Sequence, residues 1–314
     1  MHQILKSGIF RGIILRFKSK VMDSEKPLFG EEVSRSKSKI NRFFIIGPQR
    51  SGTTLLDYLV NEHPEVVSVC EWEITSMIFF NQKERLKDLS FDSFVKNIED
   101  HNIDPRKYLE LVDSYLELRI GIKEFVEKAY DLCIHSDTVK AIGAKEAISH
   151  THYEYNYVNK LYHIFGDDIR IIFISRDAKG IVNSFLKLGY FPPGKMAPSD
   201  KNLKKFVREY VKLINGTDKA VSRFSYKLYI TYEELLRKPN DTLKSIFSFL
   251  GVSQHESIIS RILSTPKRTR RINFDGIRSE NVDSWKEMLS DYHIEFIDKY
   301  YRKKRKHYFH KASV

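Results

Sequence analysis

At 314 residues, with 41% hydrophobic and 13% aromatic side chains, the chain can bury a full core, which excludes a disordered protein. Lys and Arg number 53 against 41 Asp and Glu, a formal charge of +12, so the partner to look for is an anion: a nucleotide, an acidic substrate, a polyanion or an anionic membrane. Cys70 and Cys133 are too few for a disulfide framework or a cysteine-based zinc site, and point to a reducing compartment, with one bridge between them as the alternative.

The opening stretch MHQILKSGIFRGIILRFKSK has an apolar run broken by Arg11 and Arg16, too interrupted to span a membrane and poor as a signal peptide. Wound as a helix it would offer a short basic amphipathic face for anionic lipid; a plain leader or a strap on the domain is the alternative. A polar linker, residues 23–40, leads into the main domain. The expected organisation is a basic segment and linker at 1–40, the domain at 41–298 and a basic tail at 299–314, with no membrane-spanning segment. A cytoplasmic protein, peripheral to the membrane, is therefore expected.

From residue 41 strands and helices alternate. An apolar strand at 43–46 is followed by a helical pattern over 53–62, which His63 and Pro64 end, and by a second strand at 66–70. Further strands are predicted at 139–144, 169–175 and 227–231, with helical stretches between them. That alternation predicts an α/β fold, a P-loop-like parallel sheet flanked by helices. Residues 75–137 hold long amphipathic patterns such as DPRKYLELVDSYLELRIGIKEFVEKAY and read as a helical insertion. It either shapes a substrate pocket or completes the core. The closing run KYYRKKRKHYFHK is either a solvated helix end or a contact for polyanions or lipid.

The turn after the first strand, GPQRSGTT, keeps the two glycines of a phosphate-binding loop, Gly47 and Gly52, but has Thr53 where that loop carries its lysine. A metal-dependent NTPase is thereby disfavoured. Arg50 can instead give forked hydrogen bonds to an anion without a metal. The string PQRSGTTLLDYL resembles the 5′-phosphosulfate loop of sulfotransferases that use 3′-phosphoadenosine 5′-phosphosulfate (PAPS). The resemblance implies that Arg50, Ser51, Gly52, Thr53 and Thr54 hold the donor.

Two more segments carry the same resemblance. In IIFISRDAKGIVNSFLKLGY, a helix starting near Ala178 would put Arg176 at its mouth and Ser184 two turns on, so both can face one anion. This is similar to the family's 3′-phosphate signature. LYITYEELLRKPNDTLKSIFSFLGV resembles the strand, Tyr-Glu turn and Phe-Leu-Gly helix end of the same enzymes, with Tyr232 as a nucleotide contact or a structural tyrosine.

Sulfuryl transfer needs a base for the acceptor proton and a cation where the leaving oxygen gains charge. CEWEI places Glu71 and Glu73 on one face of an extended segment, and similarity to tyrosylprotein and carbohydrate sulfotransferases makes one of them the base, Glu71 first. Lys145 in GAKEAISH resembles the family's catalytic lysine. Small-molecule sulfotransferases have a histidine base two residues beyond it; here Ala147 stands there, with His150 and His152 in reserve. No third ligand completes that H-x-H pair, so no metal is expected. Lys267, Arg268, Arg270 and Arg271 in PKRTRRINF form either a cationic lid or a solvated loop.

The expected activity is sulfuryl transfer from PAPS to an acceptor hydroxyl, on a saccharide or lipid-linked molecule, with a peptide tyrosine or small alcohol still open. The want of a signal anchor points toward a bacterial-type enzyme rather than a Golgi one. Contact with an anionic membrane surface is an accompanying expectation; nucleic acid is not an expected partner. A P-loop kinase or NTPase, and a nonenzymatic polyanion- or membrane-binding protein, are the rival readings.

Overall fold

The computed structural model describes residues 40–70, 103–149, 152–192, 195–268 and 273–305. The chain forms β1 (Asn41–Pro48), α1 (Thr53–Asn61) and β2 (Val66–Cys70), then α2 (Pro105–Leu116) and α3 (Ile122–Asp131). Next come β3 (Ala141–Ile148), α4 (His152–Phe165), β4 (Ile169–Ser175), α5 (Ala178–Lys187) and the long α6 (Asp200–Val221). β5 (Lys227–Thr231) leads into α7 (Tyr232–Arg237), α8 (Pro239–Leu250) and α9 (Glu256–Ser264). A small antiparallel pair, β6 (Lys267–Arg268) and β7 (Asn273–Phe274), precedes α10 (Asp291–Lys304).

Five strands pair in the order β2-β3-β1-β4-β5, and every neighbouring pair is parallel. Strand side chains alternate between faces, so β1 feeds two cores. Phe43 and Ile45 pack with Leu56 and Leu59 of α1, Ile246 of α8 and Ile259 of α9. Phe44 and Ile46 join Val112 of α2, Phe125 of α3, Leu161 of α4, Ile181 of α5 and Phe206 of α6. The described part of the expected helical insertion thus completes a core. Asp104 starts α2 by accepting the Arg106 N–H at 2.8 Å, with Pro105 in the first turn, where its missing donor costs nothing.

β4 and β5 have the bounds read from sequence, whereas β3 begins two residues later than predicted and runs four further. Val139 is buried, yet its N–H closes a turn onto the Ser136 carbonyl, and ladder pairing begins only at Ala141. Lys145 and Glu146 consequently lie inside the strand. At the C-terminal end, Arg305 departs from the solvated helix end that the basic run suggests. It forms an ion pair with Asp218 of α6 at 2.5 Å, with the two side chains 7% and 2% exposed. Among the described residues no helix is long and apolar enough to cross a membrane.

Candidate active site

β1 and β4 lie side by side, but their connections leave in opposite directions, toward β2 and toward β5. A crevice opens at such a switch point, beyond the carboxyl ends of the strands. The loop from Gly47 to Gly52 fills its floor. A Cβ on Gly47 would stand 2.4 Å from the Ile174 carbonyl, so only glycine lets the end of β1 press onto β4. Ser51 is fully buried and gives its hydroxyl to the Pro48 carbonyl at 2.6 Å, bracing the turn from inside. Ser51, expected to touch the sulfuryl donor, is therefore bonded within the loop and does not line the cavity described below. Gly52, at φ 92°, caps α1 in the left-handed region, and Thr53 and Thr54 follow at the positive end of the helix dipole.

Arg50 is also left-handed, at φ 68°, an unusual state for a side chain-bearing residue. Two hydrogen bonds hold it there. Its Nε donates to Ser184 Oγ at 2.8 Å, and its carbonyl accepts from Arg176 Nη1 at 3.1 Å. Two segments that are distant in sequence therefore meet on one cationic spot. The Arg176 guanidinium also lies 4.1 Å over the Tyr232 ring, a cation–π stack. Tyr232 is fixed by the capping box at the start of α7, in which Thr231 and Glu234 bond each other's backbone N–H groups. From behind, Tyr210 of α6 gives its hydroxyl to the Arg176 carbonyl at 3.2 Å.

Burial lowers the pKa of Arg176, opposed by Tyr232, Glu233 and Tyr210, and the guanidinium remains charged. Burial raises the pKa of Glu233, partly offset by the Asp177 N–H that its carboxylate accepts at 3.1 Å. Tyr232 is pushed up by burial as well, which keeps it a neutral stacking surface.

Lys145 answers the missing loop lysine. Its strand places it beside Ile45 of β1 and Cys70 of β2, it is 2% exposed, and its Nζ donates to Thr54 Oγ1 at 3.4 Å. An ammonium group thus reaches the start of α1 from a neighbouring strand rather than from the loop.

Above these groups is a cavity of about 420 Å³. Gln49, Arg50, Gly52, Thr53 and Thr54 line it together with Arg176, Ser184 and Tyr232, and Ala147, Phe185, Leu188 and Tyr190 add apolar side chains to its wall. No carboxylate lines it among the described residues. A second cavity of about 250 Å³ shares Leu55 and Tyr232 with the first and continues to Phe274, Arg278 and Asn281.

Of the residues expected from sequence, Arg50, Gly52, Thr53, Thr54, Arg176, Ser184 and Tyr232 converge on one cavity, with Lys145 bonded to its Thr54. Glu71, Glu73, His150, Arg270 and Arg271 lie outside the described residues. The described ends of the basic segment 266–274 pair as β6 and β7, and among the described residues the cation that lines the second cavity is Arg278, just past Gly276. Sequence reading passed over Arg278 for the denser basic run before it. It also missed Leu188, Tyr190 and Tyr210, for which no local signal exists.

The family model of the Sulfotransferase family matches residues 42–256, from the first strand to the start of α9. The chain belongs to the sulfotransferase family. The sulfotransferase domain of the Synechococcus PCC 7002 olefin synthase is 15% identical, with a TM-score of 0.52, over 86% of this chain and 98% of that one. The sulfotransferase domain from the curacin biosynthetic pathway is 15% identical, with a TM-score of 0.53, over 85% and 98%. Both share the fold. No curated protein sequence matches significantly. As a sulfotransferase the protein is an enzyme, and its cationic crevice lies where its five-stranded parallel sheet would hold a nucleotide.

Proposed function

We propose that this sulfotransferase moves a sulfuryl group from PAPS to an acceptor hydroxyl on a saccharide or lipid-linked molecule, in the cavity between the ends of β1 and β4. The observation that carries the reading is the convergence of Arg50, Arg176 and Ser184 on a cavity that no carboxylate lines among the described residues, with buried Lys145 beside Thr54. Arg50, Gly52, Thr53 and Thr54 take the phosphosulfate end. Arg176 and Ser184 take the 3′-phosphate, and Tyr232 faces the nucleoside.

In the reaction the acceptor oxygen forms a bond to sulfur as the bond from sulfur to the bridging phosphate oxygen breaks. The acceptor proton passes to a carboxylate, Glu71 or Glu73, which places the enzyme in the glutamate-base branch of the family; Ala147 at the position of the alternative histidine supports that assignment. Lys145 stabilises the charge that develops on the leaving phosphate, and adenosine 3′,5′-bisphosphate departs. Contact of the basic 1–40 segment with an anionic membrane, at its cytoplasmic side, would bring a lipid-linked acceptor to the cavity.

The test is calorimetric titration with adenosine 3′,5′-bisphosphate, paired with transfer assays in a chelator. Binding that Arg176→Ala weakens, and transfer that survives chelation, are expected. Absence of bisphosphate binding, or magnesium-dependent ATP turnover in its place, would overturn the reading in favour of a P-loop phosphotransferase.

A further inference from the structure

The stacked Arg176–Tyr232 pair occupies a slot bounded by two residues without a Cβ. On the loop side, a Cβ on Gly52 would stand 2.4 Å from the Tyr232 ring. On the helix side, a Cβ on Gly180 would stand 2.6 Å from Arg176 Nε, 3.2 Å from its Cζ and 3.3 Å from its Nη2. Arg176 Nε is buried with no hydrogen-bond partner, pressed against that bare stretch of α5. Gly52 has a positive φ, so its substitution would confound space with backbone strain. Gly180 is an ordinary helical position, where Ala is the better helix former and only the space changes.

We propose that Gly180 is a positioning residue for donor binding: by leaving out a side chain on α5 it sets the plane of the Arg176 guanidinium. The proposal rests on the reading that Arg176 holds the donor's 3′-phosphate. A methyl group at 180 and Arg176 Nε cannot both keep their places. The helix cannot retreat, because Ile181, Val182 and Phe185 of α5 are at most 1% exposed in the core. The methyl cannot turn to solvent, because Gly180 is itself buried. The arginine therefore moves. In moving it loosens the 3.1 Å bond to the Arg50 carbonyl and the 4.1 Å stack on Tyr232. Arg50, held left-handed by two bonds, loses one of them.

The consequence separates stability from function. Gly180→Ala should still fold cooperatively, the gain in helix propensity offsetting part of the lost contacts, yet bind adenosine 3′,5′-bisphosphate roughly tenfold more weakly, with a smaller loss for 5′-AMP, which lacks the 3′-phosphate. Calorimetric titrations of both nucleotides against wild type, Gly180→Ala, Arg176→Ala and the double variant decide the matter. With the guanidinium gone, adding Gly180→Ala to Arg176→Ala should change the bisphosphate Kd by less than twofold. The inference is overturned if Gly180→Ala binds the bisphosphate like wild type, weakens both nucleotides alike, loses affinity only through a lowered melting temperature, or keeps its full effect without Arg176. If Arg176→Ala itself leaves bisphosphate affinity intact, the underlying reading of Arg176 fails, and the inference falls with it for that separate reason.

Discussion

The two sides of β1 are built differently. Toward β4 and β5, the strand ends carry a mesh of mutual contacts: Arg50 on Ser184, Arg176 on the Arg50 carbonyl and the Tyr232 ring, Tyr210 behind Arg176, Thr231 with Glu234. Toward β3 and β2, one buried ammonium group, Lys145, reaches Thr54, and the proposed base follows β2. Among the described residues, one side grips through many groups that hold one another, and the other presents Lys145. Loss of a gripping group should weaken affinity, whereas loss of Lys145 should slow the chemistry.

The largest expected effect tests the support behind the gripping side. Asp218→Ala leaves Arg305 buried without its ion-pair partner on the helix that also carries Tyr210. Unfolding in urea should show a loss of about 3–5 kcal/mol. A loss below about 1 kcal/mol would mean that the α6–α10 contact is not a brace. Next, Lys145→Ala should lower kcat by roughly 10²- to 10³-fold with a small change in bisphosphate affinity. Unchanged turnover would remove the lysine from the mechanism and erase the contrast between the two sides.

Arg50→Ala should weaken bisphosphate binding by about 10- to 100-fold, the range for one charge-assisted contact, with a smaller effect on kcat than at Lys145. Equal effects of both variants on Kd and on kcat would show that the division is false. The smallest effect concerns pH. His63, in the turn from α1 to β2, accepts the Glu65 N–H on Nδ1 at 3.1 Å and donates from Nε2 to the Ser253 carbonyl at 2.9 Å, so its neutral form fits the fold. Burial lowers its pKa from about 6.5. The unfolded chain therefore takes up the proton first as pH falls, and stability should decline from about pH 6.5 down to the folded-state pKa. Melting curves between pH 7.5 and 5.5 should show that slope, reduced in His63→Asn.

The legibility of the molecule follows the same division. β4 and β5 are apolar runs with sharp polar ends, and α1 begins at a glycine that only a turn needs, so local sequence marks them. β3 was misplaced because Val139 is apolar but belongs to a turn, while Lys145 and Glu146 look like a strand's end although pairing continues through them. The loop, and the meeting of Arg176 with Ser184 at one helix, could be read from spacing. The bond from Arg50 to Ser184 could not, since 134 positions separate them. Gly180 reads in sequence as a weak helix residue, and its meaning appears only once a guanidinium is seen lying on it.

The parallel sheet sets a schedule for synthesis. β1 pairs with β3 and β4, whose residues lie 100 or more positions downstream, and with no nearby hairpin. As the chain leaves the ribosome, the apolar run from Phe43 to Ile46 has no partner strand until about 100 further residues have been made. Early in translation that run is bait for chaperones and for aggregation, and deletions that delay β3 or β4 should lower soluble yield before they alter the finished enzyme.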